Sequence, residues 1–294
     1  MGRRNDRTNE GTTPVTTVSW KLTGFGDEID PDPCVQVAVL QGLGANHIEV
    51  RSAWGINVVD LDDEHVERLA EILRERSMGV SAIASPIGKV DITLPLEHEQ
   101  QRLERAIKIA HHLGTRYIRL FSFYRGAGIP AEDIRIDVIS RMSSLADMAQ
   151  QEGVILLHEN EKEIYGDTPE RCLDVMESVD SPAMRLAWDS ANFVQVGTAR
   201  PFDEGYPLLR PYLEYFQVKD ALAMTGEVTP AGLGDGQVLR TLIALKDDGY
   251  SGYISLEPHL TDVNALGGFS GPEAFGRAAR SLRTLTDSIG VTLV

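Results

Sequence analysis

Eight short apolar segments alternate along this chain with amphipathic segments of helical period, and this alternation limits the folds that the chain can adopt. The segments are WKLTGF (20–25), NHIEVR (46–51), GVSAIAS (79–85), YIRLFSF (117–123), VILLHEN (154–160), MRLAWDS (184–190), YFQVKD (215–220) and GYISLEP (252–258). Each has the length and composition of a buried strand. Strands that alternate with helices form parallel sheets, because a helical crossover returns the chain to the same edge.

The helical segments between these strands complete the pattern. They cover residues 61–77, 99–114, 137–153, 168–179, 237–249 and 272–290. Thr168 and Pro169 suit the N-cap and first turn of one helix, and Gly114 and Gly153 suit the ends of two others. Eight repeats of roughly 35 residues predict one α/β domain, a (β/α)₈ TIM barrel over residues 19–294. A doubly wound open sheet is the structural alternative.

Composition restricts the class of protein further. The polar, Thr-rich residues 1–18 predict a disordered tail, and they lack the apolar stretch of a secretory signal. A formal net charge of −16 argues against a nucleic-acid partner. Two distant cysteines, Cys34 and Cys172, argue against a disulfide framework and favour a reducing cytoplasm. No apolar stretch is long enough to cross a membrane, so we expect no membrane partner.

Acidic residues end three of the predicted strands. Glu159, Asp189 and Glu257 follow the apolar stretches LLHE, LAWD and ISLE. Barrel active sites form at the carboxyl ends of the strands, where these side chains would converge and repel one another without a cation. Such an oxygen-rich cluster suits a hard or borderline divalent ion such as Mg²⁺ or Mn²⁺.

A simpler interpretation of these carboxylates stays open. A single Asp or Glu after a strand is commonly a loop residue, a helix N-cap or half of an ion pair. Arg51, Arg119 or Lys219 could therefore neutralise the cluster without any metal. The glycine-rich GLGDGQ (232–237) lacks the full dinucleotide or P-loop pattern and predicts a mobile loop instead of a phosphate site.

Several stretches resemble the sugar phosphate isomerase/epimerase family, the xylose isomerase-like TIM barrels. They are HENEKEIYGDTPERC (158–172), LAWDSANFVQVG (186–197), YFQVKDA (215–221), PAGLGDGQV (230–238) and GYISLEPHL (252–260). The resemblance runs from about residue 20 to the C-terminus and implies the barrel fold. It also implies one divalent metal, for which we expect Mn²⁺, with Mg²⁺, Co²⁺ or Zn²⁺ as alternatives.

The resemblance implies a set of metal ligands at the ends of strands five to eight. Carried over, these ligands are Glu159, Asp189, the residue at 217 and Glu257. The third position departs from the family, because Gln217 in QVKD stands where the family has His in a His-x-Lys-Asp motif. An amide oxygen coordinates Mg²⁺ or Mn²⁺ more weakly than imidazole binds a transition metal. His259 could compensate as a ligand, or it could contact substrate.

The family resemblance also implies proton transfer at a carbon next to a carbonyl, through a metal-stabilised enediolate. Glu159 and Glu257 would be the base and acid, and Lys219 would stabilise the oxyanion unless it only pairs with Asp220 or Asp189. The residues expected to contact substrate are Arg51, Lys89, Arg119, Trp188, Asn192 and His259.

Two of these residues have a competing structural explanation. Arg119 lies inside an apolar run, so it should pair with a carboxylate such as Glu49, Glu159 or Glu161. Trp188 could form an apolar wall for a sugar face, although aromatic residues at strand ends pack more often in the core.

The predicted activity is therefore that of a divalent-metal-dependent isomerase or epimerase acting on a small sugar, either a ketose or a cyclitol. One alternative is a lyase on the same scaffold, either an inosose-type dehydratase or an enzyme that cleaves keto-glycosides. Another is a non-catalytic barrel that binds sugar. Related barrels associate, so a homo-oligomer is expected by analogy alone.

Overall fold

The computed structural model describes residues 18–261 and 269–294, which form thirteen strands and nine α-helices. The strands are β1 (Val18–Gly24), β2 (His47–Val50), β3 (Ser52–Ala53), β4 (Ile56–Asn57), β5 (Gly79–Ala84), β6 (Tyr117–Leu120), β7 (Ile155–Glu159), β8 (Met184–Asp189), β9 (Leu213–Val218), β10 (Asp220–Ala221), β11 (Val228–Thr229), β12 (Tyr253–Leu256) and β13 (Val291–Leu293). The helices are α1 (Pro33–Gly42), α2 (Asp63–Glu75), α3 (Leu96–Leu113), α4 (Ala131–Gln151), α5 (Pro169–Val179), α6 (Ser190–Gln195), α7 (Pro201–Leu209), α8 (Val238–Asp247) and α9 (Gly271–Ser288).

Eight of the strands form a parallel barrel. Their order is β1-β12-β9-β8-β7-β6-β5-β2, and β13 adds a short parallel strand beside β1. A parallel bridge between Phe25, just after β1, and Glu49 in β2 closes the ring. The eight predicted strands and the TIM-barrel fold are thus confirmed. No helix in the described part of the chain is long and apolar enough to cross a membrane.

The N-terminal boundary differs slightly from the prediction. Residues 1–17 of the predicted disordered tail lie outside the described residues. Val18, which we placed in the tail, is the first residue of β1 and pairs with Val291 of β13. Val18 is therefore part of the sheet, while the rest of the predicted boundary stays a prediction.

Three helices were not predicted from the sequence: α1, α6 and α7. In α1, Val35, Val37 and Val39 alternate as they would in a strand. Asp32 nevertheless caps the helix by accepting a hydrogen bond from the Cys34 N–H at 2.9 Å. The cap and the Pro33 that follows it override the strand-like period, as helix N-terminal signals can.

Strand alternation decides which side chains reach the barrel interior. Ala82, Leu157, Ala187 and Tyr215 point inward and form one buried layer. Above this layer the Tyr215 hydroxyl donates to Glu49 Oε2 at 2.9 Å, so the barrel interior becomes polar toward its carboxyl end. The residues next along the strands on the same inward face lie at the strand tips, where the candidate site is found.

Candidate active site

Three buried carboxylates meet at the carboxyl end of the barrel. Glu159 ends β7, Asp189 ends β8 and Glu257 follows β12 directly, and their exposed fractions are 1%, 0% and 2%. One oxygen from each lies within 4.8 Å of the other two. Buried like charges at this spacing require a cation, either from the protein or from solution. The structure thus brings together the three acidic ligands that the sequence analysis proposed.

Gln217, the fourth proposed ligand, shares the inward face of the sheet. It pairs in register with Asp189 of β8 and with Ser255 of β12, two residues before Glu257. Its Nε2 donates to Glu49 Oε1 at 3.4 Å. Its Oε1 is buried and accepts no hydrogen bond from the part of the chain that the structure describes. A buried acceptor without a donor is costly unless a cation or water approaches it, so this oxygen fits a metal ligand.

Lys219 occupies the space between two of the carboxylates. Its Nζ lies 3.0 Å from Asp189 Oδ2 and 3.1 Å from Glu257 Oε2. Burial alone would lower the lysine pKa, but Asp189 and Glu257, together with Glu159 and Glu161, outweigh it and raise the pKa well above its usual value. The ammonium is therefore charged and provides part of the neutralisation that the sequence analysis left open.

Glu257 has more cationic neighbours than Asp189, and the pKa values of these two acids diverge as a result. Burial raises the pKa of Asp189 to about 7 against the charge of Lys219, with Glu257 and Glu159 adding to the rise. Burial would also raise the pKa of Glu257, but Lys219, His259 and Arg51 hold it well below the usual range. A divalent ion would lower the pKa of Asp189 and leave both acids ionised.

Two arginines hold the outer sides of the cluster. Arg119 Nη1 lies 2.7 Å from Glu159 Oε2, the pairing expected for an arginine inside an apolar run. Arg51 spans two acids, with Nη1 3.1 Å from Glu257 Oε1 and Nε 2.9 Å from Asp27 Oδ2. Both arginines are buried, so they position carboxylates and do not face open solvent.

Carboxyl groups outnumber cations at the site, and because burial raises the pKa of Glu28, Glu49 and Asp189, the excess becomes full negative charge only when these three acids ionise. Among the described residues the site holds seven carboxylates against four permanent cations and one histidine: Asp27, Glu28, Glu49, Glu159, Glu161, Asp189 and Glu257 against Arg51, Lys89, Arg119 and Lys219, with His259. One divalent ion would offset most of this excess. The donor set and the charge both fit the metal.

Two asparagines fix the ends of β7 and β8. Asn160 Nδ2 donates to the Asp189 carbonyl, and its Oδ1 accepts from the Asp189 N–H, both at 2.9 Å. Asn192 Nδ2 donates to Glu159 Oε1 at 3.2 Å, and the backbone N–H of Asn192 donates to Asp189 Oδ1 at 3.0 Å. Asn192 therefore orients two proposed ligands, although it was expected to contact substrate.

His259 connects the cluster to a residue that the sequence analysis missed. Its Nε2 lies 3.3 Å from Glu257 Oε1 and 3.1 Å from Glu28 Oε1. Glu28 is fully buried in the turn after β1 and also accepts from Ser270 Oγ at 2.7 Å. The only sequence signal for Glu28 was its place shortly after the first strand, in GFGDEID.

A cavity of about 590 Å³ opens next to the cluster; the three carboxylates do not line it, but Lys219, which pairs with two of them, does. Lys89, Lys219, Asn192 and His259 line it, as the sequence analysis expected of residues that contact substrate. Glu161, which the sequence analysis did not select as a metal ligand, also lines it and pairs with Lys89, Oε2 to Nζ 2.9 Å. The cavity is large enough for a small polyhydroxylated molecule.

Trp188 is not brought to this cavity. It follows Ala187 and precedes Asp189, both of which face inward, so alternation turns the indole outward. The ring packs edge-on against Phe193 and Tyr206, and its Nε1 donates to Ser190 Oγ at 2.9 Å. The structure therefore corrects its assignment as a substrate-binding residue and places it in the core between sheet and helices.

The glycine-rich segment 232–236 is a loop, but hydrogen bonds hold it in place. The N–H groups of Gly232, Gly234 and Gly236 donate to the Asp220 carboxylate at 2.8 to 3.1 Å. Asp220 therefore pairs with this loop and not with Lys219. These contacts do not favour the mobile loop expected from the glycine content.

Comparison with known proteins gives one family match. The family described as xylose isomerase-like TIM barrel matches residues 37–285. This range contains all of the barrel strands except β1.

Individual relatives are distant. A 3-dehydroshikimate dehydratase from Bacillus anthracis is 22% identical over 187 residues, which cover 62% of this chain and 65% of that protein, just under two thirds of its length. A 2-epi-5-epi-valiolone 7-phosphate 2-epimerase from an Actinoplanes species is 25% identical over 237 residues, covering 79% and 82%. A xylose isomerase-like TIM barrel protein from Mycobacterium smegmatis, solved in complex with magnesium, superposes with a TM-score of 0.63 at 19% identity, covering 92% of this chain and 98% of that one.

Proposed function

Because the chain belongs to the xylose isomerase-like TIM barrel family, we propose that it is a divalent-metal-dependent isomerase or epimerase acting on a small sugar, a ketose or a cyclitol. The observation that carries this proposal is the convergence of Glu159, Asp189 and Glu257 in one buried cluster beside the unpartnered Oε1 of Gln217. Proton transfer next to a carbonyl needs both an acid–base pair and stabilisation of the charge that develops on oxygen.

Four side chains would hold the metal: Glu159, Asp189, Gln217 and Glu257. All four offer oxygen, and this donor set favours Mg²⁺ or Mn²⁺ over Zn²⁺. When bound, the ion would polarise the substrate carbonyl and draw in a neighbouring hydroxyl.

Glu257 would be the base and Glu159 the acid of the proton transfer. Glu257 has its pKa held well below the usual range and is therefore ionised, which is the protonation state that a general base requires. Glu159 lies on the far side of the cluster, on β7, where in its protonated form it would donate its own proton to the opposite face for epimerisation, while Glu257 would release the proton it has taken to solvent. Lys219, 3.1 Å from Glu257, would stabilise negative charge on the substrate oxygen.

A lyase is the second candidate, and the dehydratase relative from Bacillus anthracis favours it. Dehydration also begins with removal of a proton beside a carbonyl, so the same residues would serve both reactions. The two differ only in whether the proton returns or a leaving group departs.

Solvent isotope exchange tests the proposal even when the product is unidentified. Ketoses, inososes and keto-glycosides would be incubated in D₂O with Mg²⁺ or Mn²⁺ and followed by NMR and mass spectrometry. We expect deuterium at the carbon beside the carbonyl. In Glu159→Gln and Glu257→Gln the exchange rate should fall about 10²- to 10⁴-fold.

The exposed Glu177→Gln on α5 is the matched control and should keep the exchange rate. Exchange with loss of water or release of an aglycone identifies the lyase. No exchange with any compound, by protein that binds the ion, would support the non-catalytic sugar-binding barrel.

A further inference from the structure

We infer that the substrate is electrically neutral, a polyhydroxy carbonyl compound without phosphate or carboxylate, and that Glu161 sets this preference by neutralising Lys89. The inference rests on the proposed function and narrows its substrate class. It follows from the pairing of Lys89 and of the buried cations Lys219, Arg119 and Arg51 with carboxylates of the chain.

Two of the lysines that line the cavity form ion pairs with carboxylates of the chain. Lys89 Nζ lies 2.9 Å from Glu161 Oε2, and Lys219 Nζ is shared by Asp189 and Glu257. Lys162, the third lysine of the lining, is exposed at the rim between Glu161 and Glu163. A phosphate binding to Lys89 or Lys219 would have to displace a carboxylate partner, and the exposed Lys162 alone offers it only a solvated surface charge.

The two buried arginines of the site are also paired with carboxylates. Arg119 pairs with Glu159 at 2.7 Å, and Arg51 pairs with Glu257 and Asp27 at 3.1 and 2.9 Å. Breaking such a buried pair leaves an uncompensated charge, which costs several kcal/mol. A substrate anion would therefore not recruit either guanidinium.

Backbone donors that could cradle a phosphate are also occupied. The N–H groups of Gly232, Gly234 and Gly236 form a concave, anion-binding arrangement of the kind that holds phosphates in other proteins. In this chain the Asp220 carboxylate fills it, accepting from all three.

A neutral polyol meets none of these obstacles. A paired lysine still has N–H groups to donate, and Asn192 and His259 line the same cavity with further polar atoms. Hydroxyl groups can bind to these donors and acceptors without separating an ion pair. The site would thus bind hydroxyls and repel net negative charge.

Phosphate titration of the Mg²⁺-loaded protein tests the role of Glu161. By calorimetry, inorganic phosphate should bind the parent weakly, and Glu161→Gln, which frees Lys89, should bind phosphate at least about tenfold more tightly. Glu163→Gln removes the same charge from an exposed neighbour and frees no lysine or arginine among the described residues, so it should show no gain. The double variant Lys89→Met/Glu161→Gln should lose the gain.

A gain that persists without Lys89, an equal gain in Glu163→Gln, or no gain in Glu161→Gln would overturn the assignment of Glu161. The second arm compares binding of D-fructose with that of D-fructose 6-phosphate. Tighter binding of the phosphate ester by the parent would overturn the neutral-substrate inference. Failure of the proposed function shows separately, as absence of isotope exchange in protein that behaves as expected toward phosphate.

Discussion

We expect position 217 to decide which metals the proposed site can hold. Gln217 offers an amide oxygen where the family motif has imidazole, and Glu49 fixes the amide so that Nε2 points toward the Glu49 carboxylate. The remaining oxygen is the buried atom without a hydrogen bond among the described residues. An all-oxygen set favours hard ions, because nitrogen ligands account for much of the affinity for Zn²⁺ and Co²⁺.

Replacing this amide should shift the metal preference. We expect Gln217→His to bind Zn²⁺ at least about tenfold more tightly than the parent, with little or no gain for Mg²⁺. Calorimetric titration with each ion measures the shift. Gln217→Asn, which keeps the amide on a shorter side chain, is the matched control and should not gain Zn²⁺ affinity. Equal gains for both ions in Gln217→His would show that residue 217 does not select the metal.

Lys219 should compete with the metal for the same carboxylates. In Lys219→Met the metal-free protein keeps two buried acids without their cation, so we expect about 3 to 5 kcal/mol lower free energy of unfolding. The same variant should bind Mn²⁺ more tightly, because the positive charge of the ammonium no longer repels the ion. Urea unfolding with chelator and Mn²⁺ titration measure the two effects. Weaker Mn²⁺ binding in Lys219→Met would mean that the lysine supports the metal site.

Glu49 should make the metal-free protein less stable as the pH rises. Burial raises its pKa to about 7 from 4.5, despite the opposing charge of Arg119 and hydrogen bonds from Ser255 and Tyr215. The folded state therefore holds this proton more tightly than the unfolded state does. Its contribution is fully present below pH 4.5 and is lost between about pH 4.5 and 7.

Glu49→Gln tests this dependence because the amide cannot ionise. Relative to the parent, the variant should gain on the order of 3 kcal/mol of unfolding free energy between pH 4.5 and pH 8 with chelator present. Urea unfolding at several pH values measures the difference. A difference that does not change with pH would show that Glu49 has the same pKa in both states.

At the scale of elements, Asn160 joins the tips of β7 and β8. Its side chain makes two hydrogen bonds to the backbone of Asp189, which extends the ladder between the strands by one residue. Asn160→Ala should lower the free energy of unfolding by about 1 to 3 kcal/mol, since it leaves buried backbone groups unpaired, and it should weaken metal binding. Gln150→Ala, on the exposed face of α4, is the control and should be close to neutral. An Asn160→Ala variant as stable as the parent would contradict this role.

The strands could be predicted from the sequence because each is a short apolar run between segments of helical period. Glu159, Asp189 and Glu257 could be placed because each ends an apolar run, and strand ends are where barrel sites form. Trp188 was misplaced, because whether a strand residue faces the barrel or the helices depends on the register of the whole sheet. The α1 helix was missed because its valines alternate as in a strand while Asp32 and Pro33 start a helix.

At the scale of the whole molecule, ring closure builds the part of the site that sequence pattern could not give. Glu28 and His259 are 231 residues apart, yet the Glu28 carboxylate accepts the His259 N–H at 2.9 Å. This contact exists because β1 and β12 are neighbouring, paired strands of the barrel. The commitment of each cation to a particular acid depends on the same three-dimensional arrangement, so sequence alone left the choice between metal and ion pairs open.

The number of Mn²⁺ ions bound per chain tests the proposed metal centre most directly. Equilibrium dialysis with elemental analysis would compare the parent with Glu159→Gln and Asp189→Asn, and with Glu177→Gln as the exposed control. We expect one ion in the parent and the control, and a large loss of binding in both site variants. No ion in the parent, or the same stoichiometry in all four proteins, would contradict a metal site at this cluster and leave its neutralisation to Lys219, Arg51, Arg119 and His259.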